Sequence, residues 1–142
     1  MTEKMLANGV HVITLNKNNK FYAMTLAWAT YCDYDKLLLL VGDQSQTQHQ
    51  IEVGNVLGFT ACASNQADQY NKIGETHSNE VNKLTLGNFI DFKGVKVLEG
   101  GSSYEKLRVL ECYRTNTVSD IKFVFCQVEE SQVNNEDFAI VK

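Results

Sequence analysis

Apolar and polar positions alternate along much of the 142-residue chain, and the alternation changes period only twice. "GVHVITLNK" reads as a strand, and "NKNNK" turns it into a second strand, "FYAMTLAWATY", with β-formers on one face and small residues on the other. "KLLLLVG" is a continuous apolar run, the pattern of a strand buried on both faces. The polar stretch after it predicts a helix start, with Ile51, Val53 and Val56 as the apolar positions that follow. "GFTACAS" returns to strand. "QADQYNKIGE" predicts a short helix with Ala67, Tyr70 and Ile73 on one face. The polar run over residues 76–83 predicts a loop. "LTLGNFIDF", "GVKVLEG", "YEKLRVLECYRTNTV" and "IKFVFCQVEE" then read as successive strands, and "FAIVK" as an added edge strand. The expected fold is mainly β: a closed or nearly closed barrel with a few short helices, in a single domain over residues 1–142. Closure matters because the chain has no proline with which to blunt an exposed edge.

Composition narrows the function more than the fold. Net charge is −4 and the 13 basic residues are scattered, so no basic stripe is present to neutralise nucleic-acid phosphates. No apolar run approaches the ~20 residues of a membrane-spanning helix. The N-terminus lacks the basic start and apolar stretch of a secretory signal, which makes the cytoplasm the expected location. The four cysteines, Cys32, Cys62, Cys112 and Cys126, form no C-x-x-C pair. They are expected to be small buried hydrophobes kept reduced, and no metal site is expected. No Ser–His–Asp, H-E-x-x-H, G-x-G-x-x-G or Walker pattern is present, so no catalytic dyad and no Rossmann-type dinucleotide site is expected.

The polar segment "QSQTQHQ" holds the capping-box spacing twice: Ser45 precedes Gln48 by three residues, and Thr47 precedes Gln50 likewise. A helix start exposes backbone N–H groups that suit a phosphate. From Gln44 to Gln50 there is no carboxylate, although Asp43 lies close by. Taken alone, such a start serves as an ordinary cap as readily as an anion site.

The strand before it adds weight. "MTLAWAT", then an apolar strand, then "SQTQHQI" resembles the flavin reductase-like family, whose fold is the FMN-binding split β-barrel. Met24, Thr25, Ala27, Trp28 and Thr30 match the family's strand. Ser45, Thr47 and Ile51 match its Ser/x-x-Thr segment. "GFTACAS", "IGETHSNEVNKL" and "VLECYRTNTVSDIKFVFCQVEE" follow in the family's order, so the resemblance covers most of the chain. The chain departs from it at "YDKLLL", where the family commonly has Pro-Pro. The resemblance implies that a flavin ring lies along the small-residue strand, with Ala27 and Ala29 admitting it to the backbone and Trp28 on the opposite face, either in contact with the ring or in the barrel core. Ser45, Gln46 and Thr47 are implied to hold the FMN phosphate. His77 and Lys83 are implied to meet a phosphate or a nicotinamide donor, or else to sit in a solvated loop. His11 is expected to be structural. The implied cofactor is FMN rather than FAD, with NAD(P)H or a small redox protein as electron donor, in a homodimer. A flavin-holding electron carrier, or a non-redox barrel for another anionic ligand, fits the same residues.

Overall fold

The computed structural model describes residues 7–42, 46–75, 83–117 and 120–141. In chain order these form β1 (Asn8–Gly9), β2 (His11–Lys17), β3 (Lys20–Leu26), β4 (Ala29–Asp33), β5 (Lys36–Gly42), α1 (Gln46–Gln50), β6 (Val56–Ala61) and α2 (Ala67–Glu75). There follow β7 (Phe89–Phe92), β8 (Val95–Leu98), β9 (Ser103–Tyr113), β10 (Ile121–Val133) and β11 (Ile140–Val141). Short 3-10 turns at Ser64–Gln66 and Lys83–Thr85 flank α2.

Seven strands make one antiparallel sheet in the order β3-β2-β6-β9-β10-β5-β4. The two ends of that sheet, β3 and β4, are consecutive in the chain, so the sheet wraps round to bring the end of β3 to the start of β4. Leu37, Leu39 and Val41 from β5, Leu107 and Val109 from β9, and Val124 from β10 fill the interior. The β2–β3 hairpin turns on Asn18 and Asn19, with φ of 54° and 61°. Two successive left-handed residues match the right-handed twist of the strands, and asparagine tolerates that region better than most side chains.

The expected second strand is split. Residues 21–26 pair with β2 and residues 29–33 with β5, so the chain changes partners at Ala27–Trp28. The four leucines are also not buried on both faces. Leu37 and Leu39 are buried, while Leu38 and Leu40 are half-buried on the outer face. No helix covers that face among the described residues, as is common in antiparallel sheets. The strand covered on both sides is β2, whose Ile13 and Leu15 face the barrel interior while Val12 packs under α2. On this covered side the β7–β8 hairpin lies so close to β6 that a Cβ at Gly58 would sit 2.0 Å from the Lys96 carbonyl oxygen.

Three other expectations change. The helix carrying Ile51, Val53 and Val56 ends at Gln50; Val53 is exposed and Val56 begins β6. The chain turns there because the Glu52 N–H donates to Asn55 Oδ1 (2.7 Å) and Gly54 takes φ +91°. "LTLGNFIDF" is a strand only from Phe89, after the 3-10 turn. Cys62 and Cys126 are buried as expected and Cys112 is half-buried, but Cys32 is exposed on the edge strand β4. Burial pushes the Cys62 and Cys126 thiols up to about 12, which keeps them protonated and inert.

Candidate functional site

The break follows β3, the strand against which α1 packs. At the break the Ala29 N–H donates to the Ala27 carbonyl (3.1 Å) and the Leu40 N–H donates to the Trp28 carbonyl (2.9 Å). Among the described residues, the N–H groups of Ala27 and Trp28 themselves have no acceptor. Two adjacent backbone donors, next to the small side chains of Ala27 and Ala29, therefore lack an acceptor among the described residues. Ala29 pairs with Leu39 and packs on the interior, whereas Thr30 pairs with Leu38 on the outer face. Trp28 is 46% exposed and so is not a core residue. Met24 packs against the interior cluster. The Thr25 hydroxyl points away from the break and donates to the Tyr70 carbonyl of α2 (2.5 Å).

The start of α1 is organised by Gln48. Its amide nitrogen donates to the carbonyls of Val41 (2.8 Å) and Asp120 (3.3 Å), and its Oε1 accepts from Arg114 Nη2 (2.6 Å). Gln48 thus ties β5 and both ends of the connection between β9 and β10 to one helix turn, instead of returning to a capping position. At the other end of α1, Lys122 Nζ donates to the carbonyls of Gln48 (2.7 Å) and Ile51 (2.9 Å). Lys17 Nζ donates to the Gln50 carbonyl (2.8 Å) and pairs with Glu52. Cations on the last carbonyls satisfy acceptors that a helix end leaves open. Gln46 is half-buried, while Thr47 is wholly buried and is part of the packing of α1. Ser45 and His77 lie outside the described residues.

Lys83 does not lie in a solvated loop. It is 4% exposed, and its ammonium donates to the carbonyls of Ala23 (2.7 Å) and Ile73 (2.8 Å), bracing β3 against α2. His11 is structural: it stacks on Phe59 and its Nδ1–H donates to the Leu26 carbonyl (3.1 Å). Burial lowers its pKa, with the Leu26 hydrogen bond opposing the shift.

At the far end of β4, a cavity of about 870 Å³ opens at the barrel mouth. Tyr31 and Glu105 lie on its wall with Asp33, Asp35, Glu129 and Glu130. The Tyr31 hydroxyl donates to Glu105 Oε2 (2.6 Å) across the mouth. Glu105 is 5% exposed, and burial pushes its carboxyl above the usual range against the lowering effect of that hydrogen bond. Burial and the neighbouring carboxylate also raise the Tyr31 phenol. Of the lining carboxylates, Asp35 pairs with Lys36 and Glu129 with Arg108. The sequence reading missed Glu105 and Arg114, and gave Gln48 only a capping role. Glu105 was discoverable, because the period of two running back from Val109 and Leu107 places it inside the barrel. Gln48 and Arg114 had no such signal.

Among the described residues no cluster of His, Cys, Asp and Glu fit to hold a metal is present, and no helix is long and apolar enough to cross a membrane.

The architecture is a mainly-β split barrel of the flavin reductase-like kind. The chain superposes on an NADH:FAD oxidoreductase of Streptomyces globisporus with a TM-score of 0.80 at 13% identity, covering 91% of this chain and 77% of that one. It superposes on flavoredoxin from Methanosarcina acetivorans with a TM-score of 0.79 at 15% identity, covering 94% and 72%. For an FMN-binding protein from Thermus thermophilus the TM-score is 0.80 at 16% identity, covering 94% and 76%. No protein-family profile matches the chain. No curated protein sequence does either.

Proposed function

We propose that the protein is a flavin-binding oxidoreductase that takes hydride or electrons from NAD(P)H or a small redox protein. The observation that carries this reading is the break at Ala27–Trp28: two adjacent open backbone N–H groups, flanked by alanines, in a barrel whose structural relatives are named for flavin. Donors of that kind suit the polar edge of a flavin ring, and small side chains let a planar ring reach them. A bound flavin would supply the redox chemistry itself. The chain's part is to hold the ring by the Ala27 and Trp28 N–H groups, to flank it with Trp28, and to place the phosphate at Gln46 beside the Ser45–Thr47 segment. Because Thr47 is wholly buried, its role is to set the backbone of that segment. FMN is favoured over FAD because the reading needs one phosphate beside α1.

We further propose a homodimer. The outer face of the sheet carries Leu40, Phe123 and Tyr113 in one cross-strand row, with Leu38 and Phe125 in the next, all half-buried or exposed. Such a patch on a β-sheet favours a self-complementary partner, a second copy of this chain. Four free thiols support a reducing, cytoplasmic setting.

A visible spectrum after FMN loading and desalting tests the flavin reading. About one flavin per chain is expected, bleached anaerobically by NADH or NADPH. A protein that stays colourless overturns it, and one that holds FMN without bleaching by either nucleotide is an electron carrier. Light scattering on the eluted peak tests the dimer: twice 16.0 kDa is expected, and a monomer refutes it.

A further inference from the structure

The last residues of β10 have a partner strand on one side only. β5 runs beside β10 from Gly42, opposite Ile121, to Lys36, opposite Gln127, and a bond from the Val128 N–H to the Asp35 carbonyl (2.8 Å) closes that seam. β10 then continues to Val133, paired with β9 as far as Ser103. Along Glu129–Val133 no described strand takes the place that β5 has left. An edge of this kind presents a row of backbone N–H and C=O groups to any extended chain that reaches it. Acidic side chains are a common way to blunt such an edge, and Glu129 and Glu130 serve that purpose. They do not account for the carboxyl behind them. Glu105 stands opposite Ser131 in the β9–β10 ladder and lines the cavity at the barrel mouth, yet it is 5% exposed. Its Oε2 accepts from Tyr31. Its Oε1 has no donor among the described residues, and is reached from the cavity rather than sealed in the core. A carboxyl so far withdrawn from water, with one oxygen unmet, is costly to a chain that carries it alone.

We propose that the Glu129–Val133 edge of β10 receives an extended segment of a partner polypeptide, which adds a strand to the sheet and directs a lysine or arginine over Ser131 to the free oxygen of Glu105. Backbone hydrogen bonds give such an addition its affinity, and alternate side chains give it specificity. Cross-strand neighbours share a face, so the added residue opposite Ser131 lies on the same face as Ser131 and Glu105. Its backbone is two strand spacings, about 10 Å, from that of Glu105. Only the small side chain of Ser131 lies between, and a long cationic side chain can pass over it. Two residues along β10 the same face carries Val133, an apolar side chain 72% exposed, which suits a β-branched partner. The segment recognised is therefore extended, with a basic and an apolar residue two positions apart. Charge separates such a partner from a second copy of this chain, because residues 129–133 hold two glutamates and no cation to offer Glu105. The site lies at the other end of β4 from the Ala27–Trp28 break and does not draw on the flavin reading.

The probe is a fluorescein-labelled peptide, Thr-Thr-Lys-Thr-Val-Thr-Thr, titrated by fluorescence anisotropy against the full chain. Saturable binding with a Kd below about 1 mM is expected, with shifts of the amide signals of residues 129–133 in heteronuclear NMR spectra. Exchanging the lysine for glutamate should abolish it. Methylating alternate peptide nitrogens keeps the charge, blocks pairing with the edge, and should weaken binding about tenfold. Glu105→Gln should weaken the lysine peptide about threefold to tenfold. Ser131→Lys, at an exposed position, sets a cation of the chain's own over Glu105 and should abolish binding, whereas Ser131→Thr should retain it. A wild-type protein that fails to bind the peptide at that concentration overturns the proposal. Binding that survives methylation undiminished, or that ignores both Glu105→Gln and Ser131→Lys, overturns it as well. So does a dimer that dissociates as the peptide binds, since that result assigns the edge to a second copy of the chain.

Discussion

Two charged side chains are buried almost equally, and the barrel treats them in opposite ways. Lys83, 4% exposed at the junction of β3 and α2, gives its ammonium to two carbonyls. Glu105, 5% exposed at the barrel mouth, has a single phenol hydrogen bond and no cation beside it. Withdrawing a charge from water is costly unless its hydrogen-bonding capacity is met inside. Lys83 meets that condition well and acts as a brace. Glu105 meets it poorly, and the protein responds by favouring its protonated form.

The comparison predicts unequal losses. Lys83→Met leaves two carbonyls without their charged donor, and should cost about 2–4 kcal/mol in urea unfolding. A loss below about 1 kcal/mol would show that Lys83 is replaceable and would break the contrast. Glu105→Ala removes the acceptor of the Tyr31 hydroxyl in a half-buried setting, and should cost about 1–2 kcal/mol. Glu105→Gln keeps an acceptor and removes the charge, so at pH 8 it should be as stable as wild type or more so.

The pH dependence sharpens this. A carboxyl whose folded pKa lies above its unfolded value holds its proton more tightly when folded. Its stabilising contribution is therefore complete below the ordinary glutamate range and is lost as pH rises through the folded value. Wild type should lose stability relative to Glu105→Gln as pH rises from the ordinary glutamate range, about pH 4, through the raised folded value. A difference that stays flat with pH would mean that Glu105 is ionised at no cost. The smallest effect concerns the same β3–α2 junction: Thr25→Val should cost about 1 kcal/mol, the value of one hydrogen bond to the Tyr70 carbonyl.

These contrasts mark what the sequence could reveal. The strands were legible because period-two alternation survives folding, and the Asn18–Asn19 turn because its composition is restrictive. "KLLLLVG" misled because four leucines read alike whether or not another layer covers their second face. Trp28 was left between two readings, since its setting depends on where the strand changes partner. Lys83 sits in a polar run that says nothing of the two carbonyls waiting for it. The pairing of Gln48 with Arg114 joins residues 66 positions apart, and no local pattern encodes it.

That separation also bears on the order of assembly. β5 pairs with β10, and α1 is fastened through Gln48 and Lys122 to segments made late in the chain. Synthesis from the N-terminus delivers the Ala27–Trp28 break and α1 long before Arg114 and Lys122 exist to complete their surroundings. Under the flavin proposal, a ligand held between them would not seed the barrel; it would lock one already closed, by mass action on the native state. Slow closure of long-range pairings would then set the earliest moment of loading.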